Sequence, residues 1–180
     1  ERIDIRWFEG AKTNLCVNAL DRHLPERKDQ VALLWIGNEP GVERHITYGQ
    51  LATEVNRCAN ALRKLGVKKG DRVSIYLPMI PELAVSLLAC ARIGAIHSVV
   101  FGAFSSESLS DRMNDSQCKM LITQDFGVRG TKSDLPMKQN ADRACALAPS
   151  IQTVLVVERT GKTVAMGKDH DYFLASELSS

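Results

Sequence analysis

The sequence lacks the features of a membrane protein and of a nucleic-acid-binding protein. Its longest apolar stretch, 83–91, is interrupted by Ser86 and followed by Arg92, and it is far shorter than the roughly 20 apolar residues that span a bilayer. Basic residues number 23 and acidic residues 21, so the charge does not predict binding to nucleic acid or to an anionic membrane surface. Because no basic and apolar leader opens the sequence, we expect a cytoplasmic protein.

Several catalytic and metal-binding signatures are also missing. The five cysteines are far apart, the nearest two being Cys118 and Cys145, and the absence of a CxxC or CxxH pair argues against a zinc site. We expect buried, reduced thiols instead. No G-x-G-x-x-G, P-loop or G-x-S-x-G sequence occurs, so a dinucleotide dehydrogenase in particular has no fingerprint here. No nucleophile, general base or metal ligand can be named from the sequence.

The composition is that of a folded globular chain. Hydrophobic residues make up 44% of the 180 residues, which is enough to bury a core and excludes intrinsic disorder. The length fits one domain or part of a larger one. The chain begins at Glu1 and ends at Ser180. Since neither end resembles a natural terminus, we expect the chain to belong to a longer polypeptide.

The first third of the sequence predicts two helices and one strand. Thr47 and Gln50 have the spacing of a capping box, which marks the start of the second helix, and Gly66 marks its end. Turn residues between the strand and this helix indicate a boundary or a surface loop. The predicted segments are a helix over 14–27, a strand over 31–36, a turn over 37–42 and a helix over 48–65.

Strands and helices then alternate. Strand centres near Ile75, Ser98 and Ile122 lie about 23 residues apart, a spacing typical of βαβ units with parallel strands and helices on the faces. The predicted strands are 73–77, 96–101, 120–123 and 153–157, and the predicted helices are 82–92, 106–114 and 138–147. The sequence therefore predicts an α/β fold with a largely parallel sheet. The helix over 82–92 is apolar on nearly all sides, so we expect it to lie between the sheet and another layer.

Ligands of open parallel sheets bind beyond the carboxyl ends of the strands, and the loop after the second predicted strand has suitable residues. Phe101 offers a flat face for a ring, and Gly102 lets a ligand approach the backbone. The start of the following helix favours an anion. The alternative is an ordinary loop with a core phenylalanine. The preceding strand is followed by 77–81, whose two prolines predict a rigid connector.

The loop over 125–133 has the composition of a phosphate-binding segment. Arg129 offers a planar fork and Lys132 a point charge, Gly130 frees the backbone, Thr131 adds a hydroxyl donor, and backbone amides fill the gaps. The spacing is not that of a P-loop. The alternative interpretation is a solvated basic loop.

Long segments of the sequence resemble AMP-forming acetyl-CoA synthetases, members of the acyl-adenylate-forming enzyme superfamily. The resemblance extends from about Trp7 to Asp171, and propionyl-CoA synthetases and other short-chain members share it. Its most specific block is 68–105. The segments that carry the resemblance are WFEGAKTNLCVNALDRHL (7–24), HITYGQL (45–51), GVKKGDRVSIYLPMIPELAVSLLACARIGAIHSVVFGAFS (66–105), DRMNDSQCK (111–119) and VRGTK (128–132).

The resemblance implies a two-step ligase. Acetate attacks ATP with Mg²⁺ to form acetyl-adenylate and pyrophosphate, and the thiol of CoA then displaces AMP. Such enzymes have a large α/β domain and a small, mobile C-terminal domain. By this resemblance, 1–40 is the N-terminal extension typical of acetyl-CoA synthetases, and 41–180 is the first part of the AMP-binding domain.

The same resemblance implies site residues. Phe101 and Gly102 would border the adenine and ribose of CoA, and Arg129, Gly130, Thr131 and Lys132 would meet its phosphates. Family members often carry glycine where this chain has Ala103, and Gly-Gly or Ala-Gly where it has Gly130-Thr131.

Other functional parts of such enzymes are expected beyond residue 180. These are the ATP phosphate loop, the adenine and acetate pockets, the Mg²⁺ carboxylates and the catalytic lysine. We therefore assign no catalytic or metal residue and expect the chain alone to be inactive. The alternatives are a propionyl-CoA or other short-chain acyl-CoA synthetase, and a CoA- or nucleotide-binding module without catalysis.

Overall fold

Strands and helices alternate along most of the chain, as the sequence predicts. A computed structural model describes residues 3–38 and 40–178. Within this part the strands are β1 (Val31–Ile36), β2 (Glu43–Thr47), β3 (Arg72–Leu77), β4 (Ile96–Phe101), β5 (Met120–Gln124), β6 (Gly127–Arg129), β7 (Lys132–Leu135), β8 (Thr153–Val157) and β9 (Asp171–Phe173). The α-helices are α1 (Leu15–Ala19), α2 (Leu24–Arg27), α3 (Tyr48–Lys64), α4 (Pro81–Ile93), α5 (Ser106–Ser116), α6 (Met137–Ala146) and α7 (Leu174–Leu178).

Five strands form one parallel sheet in the order β4-β3-β5-β8-β9. The strands β1 and β2 form a separate antiparallel pair, and so do β6 and β7. The predicted α/β fold with a parallel sheet is therefore confirmed. The chain leaves β3 toward β4 on one side and leaves β5 toward β8 on the other side, so the strand order reverses between β3 and β5. Such a reversal opens a crevice at the carboxyl edge of the sheet.

Helices cover both faces of the sheet. One core cluster joins α1, α3 and α4 to side chains such as Val73, Ile75 and Leu155, and a second joins α5 and α6 to side chains such as Tyr76 and Leu121. The strand order explains why both faces are covered. The connection from β3 to β4 runs in one direction along the sheet, and the connections from β4 to β5 and from β5 to β8 run in the other. Because all of these crossovers are right-handed, α4 lies on one face and α5 and α6 lie on the other. The apolar helix α4 packs against both α3 and the strands β3 and β4, as predicted.

The ends of the long helices match the sequence signals. The side chain of Thr47 accepts from the backbone N–H of Gln50 at 3.2 Å, and the side chain of Gln50 accepts from the backbone N–H of Thr47 at 2.8 Å. The helix α4 begins with Pro81 and is capped after Ile93 by Gly94, whose φ of +74° is left-handed. A proline lacks the N–H that a first turn leaves unbonded, and glycine adopts this φ without strain, so both residues suit their positions.

Replacing Thr47 by alanine is expected to lower the free energy of unfolding by about 1 kcal/mol, because the first turn of α3 loses an N-cap hydrogen bond. Urea denaturation of the two proteins measures the difference. Thr53→Ala is the matched control: Thr53 is exposed within the same helix and bonds back to the carbonyl of Gly49, so its loss should change stability by less than about 0.5 kcal/mol. Equal stabilities for the two variants would contradict the role of the cap.

Some segments differ from the predictions. The helix expected over 14–27 is broken into α1, a 3-10 turn over Asp21–His23, and α2. Leu20 has left the helical region, with φ −130° and ψ −64°. Pro25 cannot donate to a preceding turn and instead lies in the first turn of α2. The strands β2 and β9 and the helix α7 were not predicted, because they are short and their sequences are polar or mixed.

All five thiols are free of disulfides, as expected. Cys16, Cys58, Cys90 and Cys118 are buried, and Cys145 is half-buried. Burial raises the pKa of the Cys58 and Cys90 thiols to about 12. At neutral pH these thiols are therefore protonated, which makes them poor nucleophiles and poor metal ligands.

Candidate functional site

A short β-hairpin, β6–β7, extends from the carboxyl edge of the sheet directly after β5. Arg129 pairs with Lys132 across the hairpin, and Gly130 and Thr131 form the two-residue turn. Gly130 has a φ of +59°, a left-handed conformation that glycine adopts without steric cost. The loop predicted over 125–133 is thus wrong as secondary structure, because the turn at Gly130 lets its two halves pair. The pairing brings the two cations onto adjacent strands.

The hairpin forms one wall of a cavity of about 530 Å³. The loop between β4 and α5 forms a second wall, and the start of α6 a third. The cavity therefore brings Gly102 together with Arg129, Gly130, Thr131 and Lys132, from the two loops that the sequence singled out. The full set of lining residues is Tyr76, Gly102, Ala103, Phe104, Arg129, Gly130, Thr131, Lys132, Leu135, Pro136, Met137 and Asn140.

Phe101 lies beside this cavity rather than in its lining. Its side chain is 58% exposed, and its ring meets the ring of Phe104 edge-on, with centroids 6.1 Å apart. The guanidinium of Arg112 lies 4.4 Å from the centroid of the Phe104 ring. Phe104, which the sequence did not single out, therefore lines the cavity together with Tyr76, whereas Phe101 does not.

The two cations of the hairpin are exposed, and none of the carboxylates in 3–38 and 40–178 forms an ion pair with them. Other cations of the chain are paired, for example Arg92 with Asp21 at 2.6 Å. Two adjacent, uncompensated positive charges attract an anion, and Arg129 can bind two oxygens of a phosphate at once.

The deep side of the cavity is fixed by buried groups. Tyr76 is 1% exposed, and its hydroxyl donates to the carbonyl of Phe104 at 2.7 Å, which ties β3 to the loop after β4. Burial raises the pKa of this phenol, so it stays protonated and remains a donor. A Cβ at Gly102 would lie 3.1 Å from Met137 and 3.2 Å from Pro78. A side chain at 102 would therefore crowd Met137 and the Pro78 backbone, so the packing of the loop favours glycine before any ligand is considered.

The start of α5 already holds an anion of its own. Ser105 caps this helix, and its side chain accepts from the N–H of Ser108 at 3.3 Å. The pKa of Glu107 is lowered by its own backbone N–H and by hydrogen bonds with the side chains of Ser105 and Ser106. The positive end of this helix, which the sequence suggested for a ligand, is thus met by the Glu107 carboxylate.

The base of the hairpin is held by Asp125, which directly follows β5 and is 1% exposed. Its carboxylate accepts from the backbone N–H groups of Phe126, Arg159, Thr160 and Gly161, and from the Thr160 hydroxyl. Because these donors belong to the segments after β5 and after β8, Asp125 joins the carboxyl ends of two strands.

A larger groove, of about 750 Å³, lies at the opposite edge of the sheet. Arg63, Lys68, Lys69 and Arg92 are among its lining residues. Arg63 and Arg92 lie in the last turns of α3 and α4, where positive charge complements the helix dipoles. Lys68 and Lys69 lie in the loop between α3 and β3. Since ligands of such sheets bind at the carboxyl edge, we regard the cavity beside the hairpin as the functional candidate.

No group of three or more histidine, cysteine or acidic side chains suited to a metal ion occurs in the part of the chain that the structure describes. In the same part, no helix has the length and apolar character needed to cross a membrane.

Comparison with known proteins identifies the family. The family model described as "AMP-binding enzyme" matches residues 20–173, most of the chain. The chain belongs to the AMP-binding enzyme family. This agrees with the parallel sheet and with the resemblance noted in the sequence.

The chain is homologous to the N-terminal region of acetyl-CoA synthetases within this AMP-binding family. It is 54% identical to acetyl-coenzyme A synthetase of Halorhodospira halophila over 168 residues, which are 93% of this chain and 26% of that protein. It is 55% identical to acetyl-coenzyme A synthetase 2 of Pseudomonas putida over 166 residues, again 26% of that protein. The chain therefore spans about a quarter of the length of these relatives.

The fold of the chain matches that of a solved structure. Acetoacetyl-CoA synthetase from Streptomyces lividans superimposes with a TM-score of 0.85 at 29% identity, over 97% of this chain and 26% of that one. The strands and helices of the chain are thus arranged as in the N-terminal part of an acyl-CoA synthetase.

Several cavity residues could not be found from the sequence. Tyr76 lies inside a buried strand, where an aromatic residue is ordinary core. Asn140 lies on α6, and nothing in its neighbours distinguishes it. Phe104 is three residues after Phe101, and nothing in the sequence favours Phe104 over Phe101 as the ligand-binding ring. Only the packing of α6 against the two loops brings these residues to one cavity.

Proposed function

We propose that the chain is the N-terminal portion of an AMP-forming acetate–CoA ligase, and that the cavity beside the hairpin binds the nucleotide part of CoA. The observation that carries the proposal is the pair of cations, Arg129 and Lys132, which have no ion-pair partner among the described residues and lie beside an open cavity at the carboxyl edge of the sheet. The homology to acetyl-CoA synthetases supports the choice of CoA as the ligand.

The chemistry of the lining residues suits this ligand. The Arg129 fork and the Lys132 ammonium bind phosphate oxygens, and the backbone N–H groups of the intervening turn add uncharged donors. Phe101 and Gly102 border the adenine and ribose, with the ring of Phe104 beside them. An aromatic face and a glycine backbone together accept a planar base without a bulky side chain in the way.

In this proposal, the chain binds and orients CoA while the chemistry takes place on other residues. Acetate and ATP, with Mg²⁺, form acetyl-adenylate and pyrophosphate, and the CoA thiol then displaces AMP. The ATP, acetate and Mg²⁺ sites and the mobile C-terminal domain belong to sequence beyond residue 180. Residues 1–40 form the N-terminal extension, 41–180 begin the AMP-binding domain, and the enzyme acts in the cytoplasm.

The test uses the complete polypeptide that contains this chain. Acetate-dependent exchange of pyrophosphate into ATP measures the first step, and acetyl-CoA formation measures both. We expect both activities in the complete polypeptide and neither in the 180-residue chain. Exchange by the chain alone, or no acetyl-CoA from the complete polypeptide, would contradict the proposal.

The identity of the acid is a separate part of the test. Assays with propionate and longer acids in place of acetate distinguish acetate–CoA ligase from the alternatives, a propionyl-CoA or other short-chain acyl-CoA synthetase. A higher kcat/KM for propionate than for acetate would replace the proposed substrate and leave the CoA site unchanged.

A further inference from the structure

The loop between β1 and β2 contacts the tip of the hairpin. The side-chain Nδ2 of Asn38 donates to the carbonyl of Gly130 at 2.5 Å, and the backbone N–H of Gly130 donates to Oδ1 of Asn38 at 2.9 Å. One amide side chain therefore satisfies both polar groups of one backbone residue, as a neighbouring strand would. The two residues are 92 positions apart in the sequence.

The strand β1, which leads into the loop that contains Asn38, is fixed to the carboxyl edge of the sheet. The indole N–H of Trp35 donates to the carbonyl of Met79, just after β3, at 2.8 Å. The guanidinium of Arg159, just after β8, lies 4.9 Å from the centroid of the Trp35 ring. The N–H of Gly37 donates to the carbonyl of Val42 at 2.7 Å and closes the loop. Asn38 thus reaches the hairpin from a well-supported position.

The hairpin needs such support. Its strands have three and four residues, and an isolated two-stranded hairpin is marginally stable in water. Asp125 holds only its base. Arg129 and Lys132 flank the turn that Asn38 contacts, so motion of the turn separates or rotates both cations. Ordering flexible groups at the moment of binding reduces affinity, whereas a turn held in place presents both charges together.

We propose that Asn38 is a positioning residue for the anion-binding hairpin: its amide holds Gly130 so that Arg129 and Lys132 meet the phosphates of CoA together. This inference rests on the proposed function for the identity of the ligand. The segment 37–42, which the sequence predicts to be a boundary or a surface loop, would then help directly to shape the CoA site.

The first test is kinetic and uses the complete polypeptide. Asn38→Ala is expected to raise KM for CoA by about fivefold to tenfold, the loss expected from one or two hydrogen bonds. The kcat and the acetate-dependent ATP–pyrophosphate exchange should stay within about twofold, because neither depends on the order of the free hairpin. Asn60→Ala, at an exposed position on α3, is the control and should leave all three unchanged.

Asn38→Asp distinguishes the hydrogen bonds from simple packing. The aspartate has nearly the same shape, but it replaces the donor that faces the Gly130 carbonyl with an acceptor and adds a negative charge near Arg129. We expect KM for CoA to rise at least as much as in Asn38→Ala. A near-normal KM in the aspartate variant would show that shape alone matters and would overturn the inference. An equal loss of exchange and of thioester formation would overturn it too.

The second test does not depend on the ligand. Hydrogen exchange of the 129–132 backbone amides, measured by mass spectrometry, should be faster in Asn38→Ala than in the wild type and unchanged in Asn60→Ala. Unchanged exchange in Asn38→Ala would overturn the inference even if the ligase is active. If the wild-type polypeptide forms no acetyl-CoA, the proposed function fails, whereas faster amide exchange would still support the positioning role of Asn38.

Discussion

Replacing Arg129 by alanine is expected to raise KM for CoA by roughly 10- to 100-fold in the complete polypeptide, because a charge-assisted hydrogen bond to phosphate contributes about 1.5–3 kcal/mol. Acetate-dependent ATP–pyrophosphate exchange should change by less than about twofold, since CoA does not take part in that step. Steady-state kinetics with varied CoA, and isotope exchange without CoA, measure the two quantities on the same preparation.

Two further variants sharpen this prediction. Arg129→Lys keeps the charge but loses the planar fork, so we expect an intermediate KM for CoA. Arg57→Ala removes an exposed arginine of α3 that does not line the cavity, and it should leave KM unchanged. If exchange falls as much as thioester formation in Arg129→Ala, the assignment of Arg129 to CoA is wrong.

Asp125→Asn is expected to lower the free energy of unfolding by about 3 kcal/mol. The buried carboxylate accepts hydrogen bonds from N–H and O–H groups, and the NH₂ group of asparagine would leave some of these donors without an acceptor. Oδ1 accepts from Phe126 at 2.6 Å and from Arg159 at 3.0 Å. Oδ2 accepts from the N–H of Thr160 at 2.8 Å, its hydroxyl at 2.9 Å and the N–H of Gly161 at 2.9 Å. An amide can keep the first set, but its NH₂ group then faces three donors.

Urea denaturation followed by circular dichroism measures the effect. Asp111→Asn is the matched control: Asp111 is exposed on α5, so the same chemical change there should alter stability by less than about 0.5 kcal/mol. If Asp125→Asn and Asp111→Asn unfold at the same urea concentration, the carboxylate of Asp125 does not hold the two loops together as described.

The parallel sheet could be predicted from the sequence because its strands carry their own signals. The strands β3, β4, β5 and β8 are short apolar runs rich in β-branched residues, bounded by turn residues, and each lies within a residue of its predicted bounds. The helices α3 and α4 have local signals at their first turns, Thr47 and Pro81. Local signals of this kind do not depend on the rest of the fold.

The parts that were missed depend on partners distant in the sequence. The strand β2 has a polar sequence and is a strand because β1 pairs with it. The strand β9 pairs with β8 across a turn-rich segment. The sequence predicts a loop where the hairpin β6–β7 forms, because its glycines and charges resemble those of an irregular segment. In each case the hydrogen-bonding partner, rather than intrinsic propensity, determines the structure.

The residues of the candidate site likewise fall into those that could be predicted from the sequence and those that could not. Arg129 and Lys132 could be singled out because two cations flanking a small turn are conspicuous in the sequence, and the family resemblance gave them a ligand. Tyr76 and Asn38 could not, because what they contact is decided by folding. The hydrogen bonds of Asn38 join residues 92 positions apart, and no local sequence pattern predicts such a contact.

The central claim, that the cavity beside the hairpin binds CoA, is tested most directly by isothermal titration of CoA into the complete polypeptide. We expect saturable binding at one site, weakened at least tenfold in Arg129→Ala and unaltered in Arg57→Ala. The same dissociation constant for the wild type and Arg129→Ala would contradict the claim, because the fork that is proposed to bind the phosphates would then contribute nothing to affinity.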